Sequence, residues 1–374
     1  MTIFQPSPKL SLDFTSAVLS PLVTFARAGN TATRINSAGF VESVLADVAR
    51  FDYNPVTLAC KGLLIEETRT NLLKYSDAFG NALWGKSATA SVTSNTVTGP
   101  DNTLSGDTLT FTAGAATVSQ EVTVTSGATY TLSVWLRCAS GTVSVDLGNI
   151  SVGAFETKTV TTTWQRFTVT QAASAATRYP AIRSTAASVI YAWGAQLELG
   201  ASATSYIPTA AAAVTRNADV ATITGTNFSD FWQAGKGGAL VRSLPSTVSG
   251  TRPLVQFDDN TADNIIALRG NTTNPELYIV DGGAPQAQID AGTIAANTAY
   301  SLTGWWAAND CKARKDSGAV VTDTTATIPT VTQARLGSDG TNYLNGHLAT
   351  INYYDQFSSQ IYTRRKNKAV FTVI

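Results

Sequence analysis

Between about residue 76 and residue 207, apolar and polar side chains alternate with a period of two. That spacing sends one face of an extended strand into a core and leaves the other outside. Val118–Val124 alternates in this way. In the run from Tyr130 to Arg137, Tyr130, Leu132, Val134 and Leu136 fall on one face. Thr131, Ser133, Trp135 and Arg137 fall on the other. Gln165, Phe167 and Val169 repeat the pattern after Trp164. Farther on, Val189, Tyr191, Trp193, Ala195, Leu197 and Leu199 share a face, opposite Ala192, Gly194, Gln196 and Glu198. Parity therefore assigns Trp193 to a core and Trp135 to an outer face or groove. Gly and Ser/Thr turns separate these runs, as in β-sandwiches.

From about residue 220 a second set of strands is predicted, at Gly238–Arg242, Pro253–Phe257, Asn264–Leu268, Glu276–Val280 and Tyr300–Ala307. The stretch ARLGSDGTNYLNGHLATINYYDQF reads as a closing hairpin, with Leu344, Leu348 and Ile351 as packing positions. Residues 200–219 are rich in Ala, Thr and Ser and read as a linker or returning strap. Residues 1–75 lack strong periodicity, and Arg27, Arg34, Arg50 and Arg69 punctuate their short apolar runs. They read as a compact, mostly irregular collar. One short helix is expected over Ile65–Tyr75, with Leu63, Leu64, Leu72 and Leu73 toward a core or toward other subunits. The expected organisation is all-β: a collar (1–75), a jelly-roll sandwich with a strap (76–219) and a second sandwich able to fold separately (220–374).

Charged residues make up only 14% of the chain and balance to a formal net charge of zero, with 26 basic and 26 acidic groups. No basic excess exists to neutralise a phosphate backbone, which argues against a nucleic-acid partner. Neutral, hydroxyl-rich β surfaces suit sugars, which offer hydroxyls and apolar ring faces. Cys60, Cys138 and Cys311 are an odd, scattered set, a poor disulfide framework and consistent with small packing residues in a cytoplasmically assembled protein. The first residues lack the basic and apolar regions of a signal peptide, and no run approaches a membrane span, so membrane insertion is not expected.

Five pieces in one order carry a resemblance: FARAGNTATRINSAGFVE, RFDYNP, KGLLIEETRTNLLKYS, YAWGAQLELGASATSYIPT and TRNAD. Together they resemble blocks of tail-fibre and head-spike proteins of bacteriophages and phage-like particles, such as gene transfer agents. The strand order after residue 76 resembles carbohydrate-binding jelly rolls, and the C-terminal stretch resembles concanavalin-A-like lectin domains. The resemblance implies a virion surface protein, assembled in the bacterial cytoplasm and released by lysis. It would bind host capsule or lipopolysaccharide glycan, attach to a head or tail structural protein and form a homo-oligomer, with a trimer preferred. The rival readings are a non-binding decoration protein and a polysaccharide depolymerase.

Candidate site residues are few. Trp135, Trp305 and Trp306 are the candidate sugar-stacking residues, with simple packing as the competing reading of each. Adjacent strand residues point to opposite faces, so only one of Trp305 and Trp306 is expected to face outward. Asp258, Asp259 and Asp263 form the densest oxygen cluster and make calcium the one candidate ion, against an Asx-rich turn. His347 is the only histidine and sits in the packing hairpin, so a Ser-His-Asp arrangement is not expected. Glu156, Glu198, Asp258, Asp259 and Asp281 offer no recognisable glycosidase pair, and the chain is expected not to be an enzyme.

Overall fold

The computed structural model describes residues 7–29, 32–112, 114–150 and 153–356. The fold is all-β. Helix among the described residues amounts to one four-residue turn, Thr226–Ser229, one 3-10 turn, Phe14–Ser16, and the 3-10 residue Ile150. No described helix is long and apolar enough to cross a membrane.

The first sandwich packs two five-stranded sheets. One runs in the order Gln165–Ala172, Thr129–Cys138, Ser188–Leu199, Leu104–Phe111, Ala90–Thr98. The other runs Ala154–Val160, Val143–Asn149, Pro180–Ser184, Ala116–Gln120, Trp84–Lys86. Their inner faces close over Val134, Leu136, Val145, Leu147, Ile190 and Leu109, all fully buried. In Thr129–Cys138 the alternation seen in the sequence is this inward and outward alternation, with Tyr130, Leu132, Val134 and Leu136 in the core.

The second sandwich packs an eight-stranded sheet on a seven-stranded one. The eight-stranded sheet centres on the antiparallel pair Lys236–Pro245 and Gly346–Tyr354. The seven-stranded sheet contains Gln333–Leu336 beside Thr251–Asp258. These two C-terminal strands therefore do not form a hairpin. The chain crosses from one sheet to the other between Leu336 and Gly346, through a turn closed by the bridge Ser338–Tyr343 and by Asp339, whose Oδ1 accepts from Thr341 N and Asn342 N. Leu344, Leu348 and Ile351 do pack into the core.

The N-terminal segment departs most from the sequence reading of a collar. Leu10–Asp13 pairs with the outer half of Gly346–Tyr354, and Cys60–Ile65 pairs with its inner half. Thr24–Ala26 extends the seven-stranded sheet along Val220–Thr224. Residues before 66 thus complete both sheets of the second sandwich. They lack a period-two signal because these strands are short and Cys60–Ile65 is buried on both faces over its last four residues. Gly62 shows how tightly that strand lies: its φ is +110°, and a Cβ there would sit 2.1 Å from the Leu348 carbonyl oxygen. Only glycine permits that approach.

The expected helix over Ile65–Tyr75 is absent. Cys60–Ile65 and Arg69–Asn71 are strands, the latter paired with Val214–Arg216. Asn71 forces this local course: its amide donates to the carbonyls of Ala195 and Ile207, and its Oδ1 accepts from Leu73 N and Leu197 N. Leu63, Leu64 and Leu73 are buried by this chain itself. The cysteines are free, with Cys138 and Cys311 buried as packing residues.

Candidate functional site: a cleft above a buried charge network

Where the two sandwiches and the N-terminal segment meet, five ionic side chains are packed together. Arg27 pairs with Asp219 at 3.0 Å and Arg50 with Glu66 at 2.8 Å. Arg50 also pairs with Asp219, and Arg216 reaches Glu66 at 3.4 Å and Asp219 at 3.8 Å. The cluster holds one more guanidinium than carboxylate. Backbone carbonyls take up that excess: Arg50 donates to Thr33 O, Arg27 to Val48 O and Arg216 to Glu67 O. Burial raises the pKa of Glu66, but the charges of Arg216 and Arg50 and two hydrogen bonds from Ser205 outweigh it and hold it well below the carboxylate range.

All five sequence pieces supply this junction. Arg27 lies in FARAGN, Arg50 in RFDYNP, Glu66 in KGLLIEETRTN, Ser205 in ATSYIPT, and Arg216 and Asp219 in TRNAD. Residues 200–219 are the predicted strap, and they are anchored: Tyr206, Ile207, Arg216 and Asp219 are buried.

Above the network opens a cleft of about 740 Å³. One wall is the hairpin Ala32–Ile35/Val41–Val44 with Phe40 at its turn, together with Pro55, Val56 and Lys61. The facing wall is the first sandwich, through Trp135 and residues 163–166, with Pro100 beside them. The strap residues 203–206 and, from the second sandwich, Ser246 and His347 close the site.

Trp135, Trp193 and Tyr206 form an aromatic cluster of their own, with ring centroids 4.6–5.7 Å apart. This corrects the parity assignment of Trp193, and with it that of Val189 and Tyr191, which lie on the same side of the strand as Trp193. A bulge interrupts Ser188–Leu199 at Gly194, where φ is +62° and the pairing with Thr129–Cys138 shifts register. Ile190 and Ala192 before the bulge, and Ala195 and Leu197 after it, face the sandwich core. Trp193 faces the opposite way, against Trp135. The bulge needs glycine twice over, since a Cβ at 194 would also press on the Trp135 ring at 3.1 Å.

Across the strand pair from Trp135 lies Arg166, whose guanidinium sits 4.4 Å from the Trp135 ring centroid. Its Nη1 donates to Thr204 O at 2.6 Å and its Nη2 to Ser133 Oγ at 2.8 Å. On the opposite side Asp52 accepts from Ile35 N at 2.6 Å and from His347 Nε2 at 2.9 Å, and it pairs with Lys61. Burial raises the Asp52 pKa, but His347 and Lys61 together bring it down to about 2.

The sequence-predicted residues are distributed unevenly about this site. Trp135 lines the cleft but is only 9% exposed and lies under Arg166, so its ring supports that cation. Trp305 and Trp306 are 5% and 1% exposed and lie outside the cleft. They do point to opposite faces: Trp306 enters the core beside Trp232, Phe257 and Tyr353, while Trp305 lies under Lys312. The expectation of one outward ring is not met, because both faces are covered there.

Asp258 is spent on Arg335 at 2.9 Å and on the amides of Gln256 and Gln333. Asp259 accepts from Thr261 and Asn264, and Asp263 is exposed with its backbone N–H on Thr261 Oγ1. These are turn and ion-pair roles. No group of His, Cys, Asp and Glu among the described residues is arranged to hold a metal ion.

Phe40, Asp52, Lys61, Trp164 and Arg166 were not singled out by sequence reasoning as site residues. The available signal was the scatter of charges through the short apolar runs of residues 27–69 in a chain otherwise poor in charge.

No protein-family model matches this sequence, and no curated protein matches it. Among solved structures, the chain is similar to the carbohydrate-binding module CBM40 of a Ruminococcus gnavus IT-sialidase, at 12% identity and a TM-score of 0.29, covering 34% of this chain and 80% of that one. It is also similar to the tandem CBM22 modules of Paenibacillus barcinonensis Xyn10C, at 10% identity and a TM-score of 0.28, covering 78% and 100%. A third likeness is to mouse laminin α1 domains LG4-5, at 9% identity and a TM-score of 0.24, covering 73% and 89%. At such TM-scores these likenesses carry no argument about ligand or role.

Proposed function

We propose that this chain is a surface spike or fibre protein of a phage or phage-like particle that holds host-cell polysaccharide in the cleft between its sandwiches and does not cleave it. The observation that carries this reading is the cleft itself. Its volume falls within the range of small-ligand sites. Its lining mixes apolar groups (Phe40, Pro55, Val56, Pro100, Trp164) with polar ones (Thr33, Gln165, Arg166, Ser205), the mixture a pyranose requires. The five sequence pieces that resemble phage fibre and spike proteins build the junction beneath it, which supports the surface-protein part of the reading.

The state of the lining carboxylates supports binding without hydrolysis. A glycosidase needs one carboxylic acid protonated near neutral pH and a second ionised. Asp52 and Glu66 are both locked to cations and held ionised. His347 has its Nε2 committed to Asp52. A single sugar site is weak, so several copies, in a trimer or on one particle, would supply avidity.

The test is adsorption of the purified chain to capsulated cells and to glycan-deficient mutants of the same strain, with reducing ends assayed in parallel. Binding that follows the glycan, without product, supports the reading. Equal binding to both strains would leave a decoration protein, and released oligosaccharide would indicate a depolymerase. Light scattering gives the oligomeric state.

A further inference from the structure

The inference made here rests on the reading of the cleft as a saccharide site and names the class of saccharide. The charges lining the cleft are not equivalent. Asp52 is held by His347 and Lys61, Glu66 by Arg50 and Arg216, and Arg34 by Glu42. Arg166 differs. Among the described residues its guanidinium has only neutral acceptors, the Thr204 carbonyl and the Ser133 hydroxyl, and its Nε has no partner. Burial lowers its pKa, and Glu198 and Glu66 oppose this from a distance without touching it. Glu198 is itself fully buried and occupied by Thr204 and Gln196.

Arg166 is half-buried, and a guanidinium that has given up part of its water without gaining a carboxylate is incompletely compensated. Each of its terminal nitrogens keeps a second N–H beyond the one already engaged, and two parallel N–H groups are the fork that matches a carboxylate. The group does not need to be ordered on binding, because Trp135 beneath it and two hydrogen bonds already fix its plane. It lines the same cleft as Trp164, which is half-buried and tied by its Nε1 to Thr98 O at 3.0 Å.

We infer that the saccharide held in this cleft is acidic, and that Arg166 receives its ring carboxylate while Trp164 flanks the sugar. Trp135 is then a positioning residue that acts through Arg166.

The experiment titrates the full chain with oligoglucuronate and oligogalacturonate, each beside its carboxyl-reduced counterpart. The expected result is binding of at least one uronate about ten- to a hundredfold tighter than its reduced form. Added salt should weaken the uronate and leave the reduced form unaffected. In Arg166→Gln the preference should vanish, and in Arg166→Lys, which keeps the charge but loses the fork, it should shrink to a few-fold. Trp164→Ala should weaken both forms alike. Unfolding curves accompany every variant, and if Arg166→Gln does not fold, Arg166→Lys and the reduced ligands decide.

Equal or better binding of the reduced forms, still lost in Trp164→Ala, would overturn the acidic ligand and leave the cleft as the site. A uronate preference unchanged in both Arg166 variants would overturn Arg166 as the receptor. Failure of both uronates to bind while host cells are still bound in a Trp164-dependent way would also overturn the inference and spare the site. Cell binding indifferent to Trp164 would remove the cleft reading as well.

Discussion

The first sandwich draws both of its five-stranded sheets from residues 84–199, an unbroken stretch of chain. The second takes its strands from two stretches separated by the whole of the first: residues 10–65 and 220–354. The first is therefore an insertion into the second, and the strap returns the chain across the junction. A core assembled from neighbouring segments can form by itself. A core that joins Leu10 to Tyr353 must wait for the closure of a very long loop. The ionic network lies where the insertion leaves and rejoins its host, and through Ser205 it ties the N-terminal segment to the strap by which the chain returns from the first sandwich.

Truncation gives the sharpest break in this comparison. A chain beginning at residue 76 loses Leu10, Leu12, Phe14, Phe25, Phe51, Leu63 and Ile65 from the second core. Its second sandwich should fail to unfold cooperatively, whereas a fragment covering residues 72–210 should keep a single sharp transition by calorimetry. The opposite pattern would mean that the N-terminal strands are an addition to a complete domain.

Next in size is Arg50→Met. Arg50 makes the shortest ion pairs of both Glu66 and Asp219 and also donates to Thr33 O and Ser205 Oγ; losing these buried contacts together should cost about 3–5 kcal/mol of stability, although Arg27 and Arg216 still balance the carboxylates in number. The informative control is Leu136→Ala in the first core, at about 2–5 kcal/mol. The control should destabilise the first sandwich alone, but Arg50→Met should also split the thermal transition in two. A single undivided transition in Arg50→Met would mean that the junction does not couple the bodies.

Acid should act on the same junction. The folded pKa of Asp52 is depressed to about 2, below its unfolded value of 3.8. Its contribution is therefore complete above pH ~4 and is lost as the pH falls toward 2, and linkage makes it roughly 2 kcal/mol. Denaturant midpoints of wild type and Asp52→Asn should converge in that window. A gap that persists at pH 2 would assign the effect to the amide rather than to the charge.

Gly194→Ala should cost about 1–2 kcal/mol, since the φ of +62° and the Trp135 contact both oppose a Cβ. It should change tryptophan fluorescence, since Trp135 and Trp193 meet there. The smallest effect concerns Asp258, Asp259 and Asp263: millimolar calcium should leave the melting temperature unchanged, because protein donors already occupy the first two. A rise with calcium would restore the metal reading.

How much could be read from the sequence follows the same division. The run from Tyr130 to Arg137 announced its strand because it alternates over eight residues against a contiguous core, and the run from Val189 to Leu199 was recognised as a strand although its alternation changes phase at Gly194. Leu10–Asp13 and Cys60–Ile65 could not be recognised in this way, being short and paired with residues far along the chain. Trp193 was misplaced because period-two counting has no means of seeing a bulge, although Gly194 within a strand was the available warning. The cleft was illegible for a different reason. Its residues come from stretches scattered between Thr33 and His347, and Arg166 acquires meaning only when Trp135, Thr204 and Ser133 surround it.

The pairing of Leu10–Asp13 with Thr350–Tyr353 also has a mechanical side. The strands are antiparallel, so Lys9 and Tyr354 leave the ladder at the same end, where Lys9 N donates to Tyr353 O and Lys9 faces Asp355. Tension applied between those two points would open the ladder like a zipper, one hydrogen bond at a time, and not shear all of them together. The ladder should yield at low force when pulled between residues 9 and 354. Pulled instead between residue 9 and Pro245, at the opposite end of the strand Lys236–Pro245, the load would run along the strands and shear the rows together, and the same protein should resist far longer.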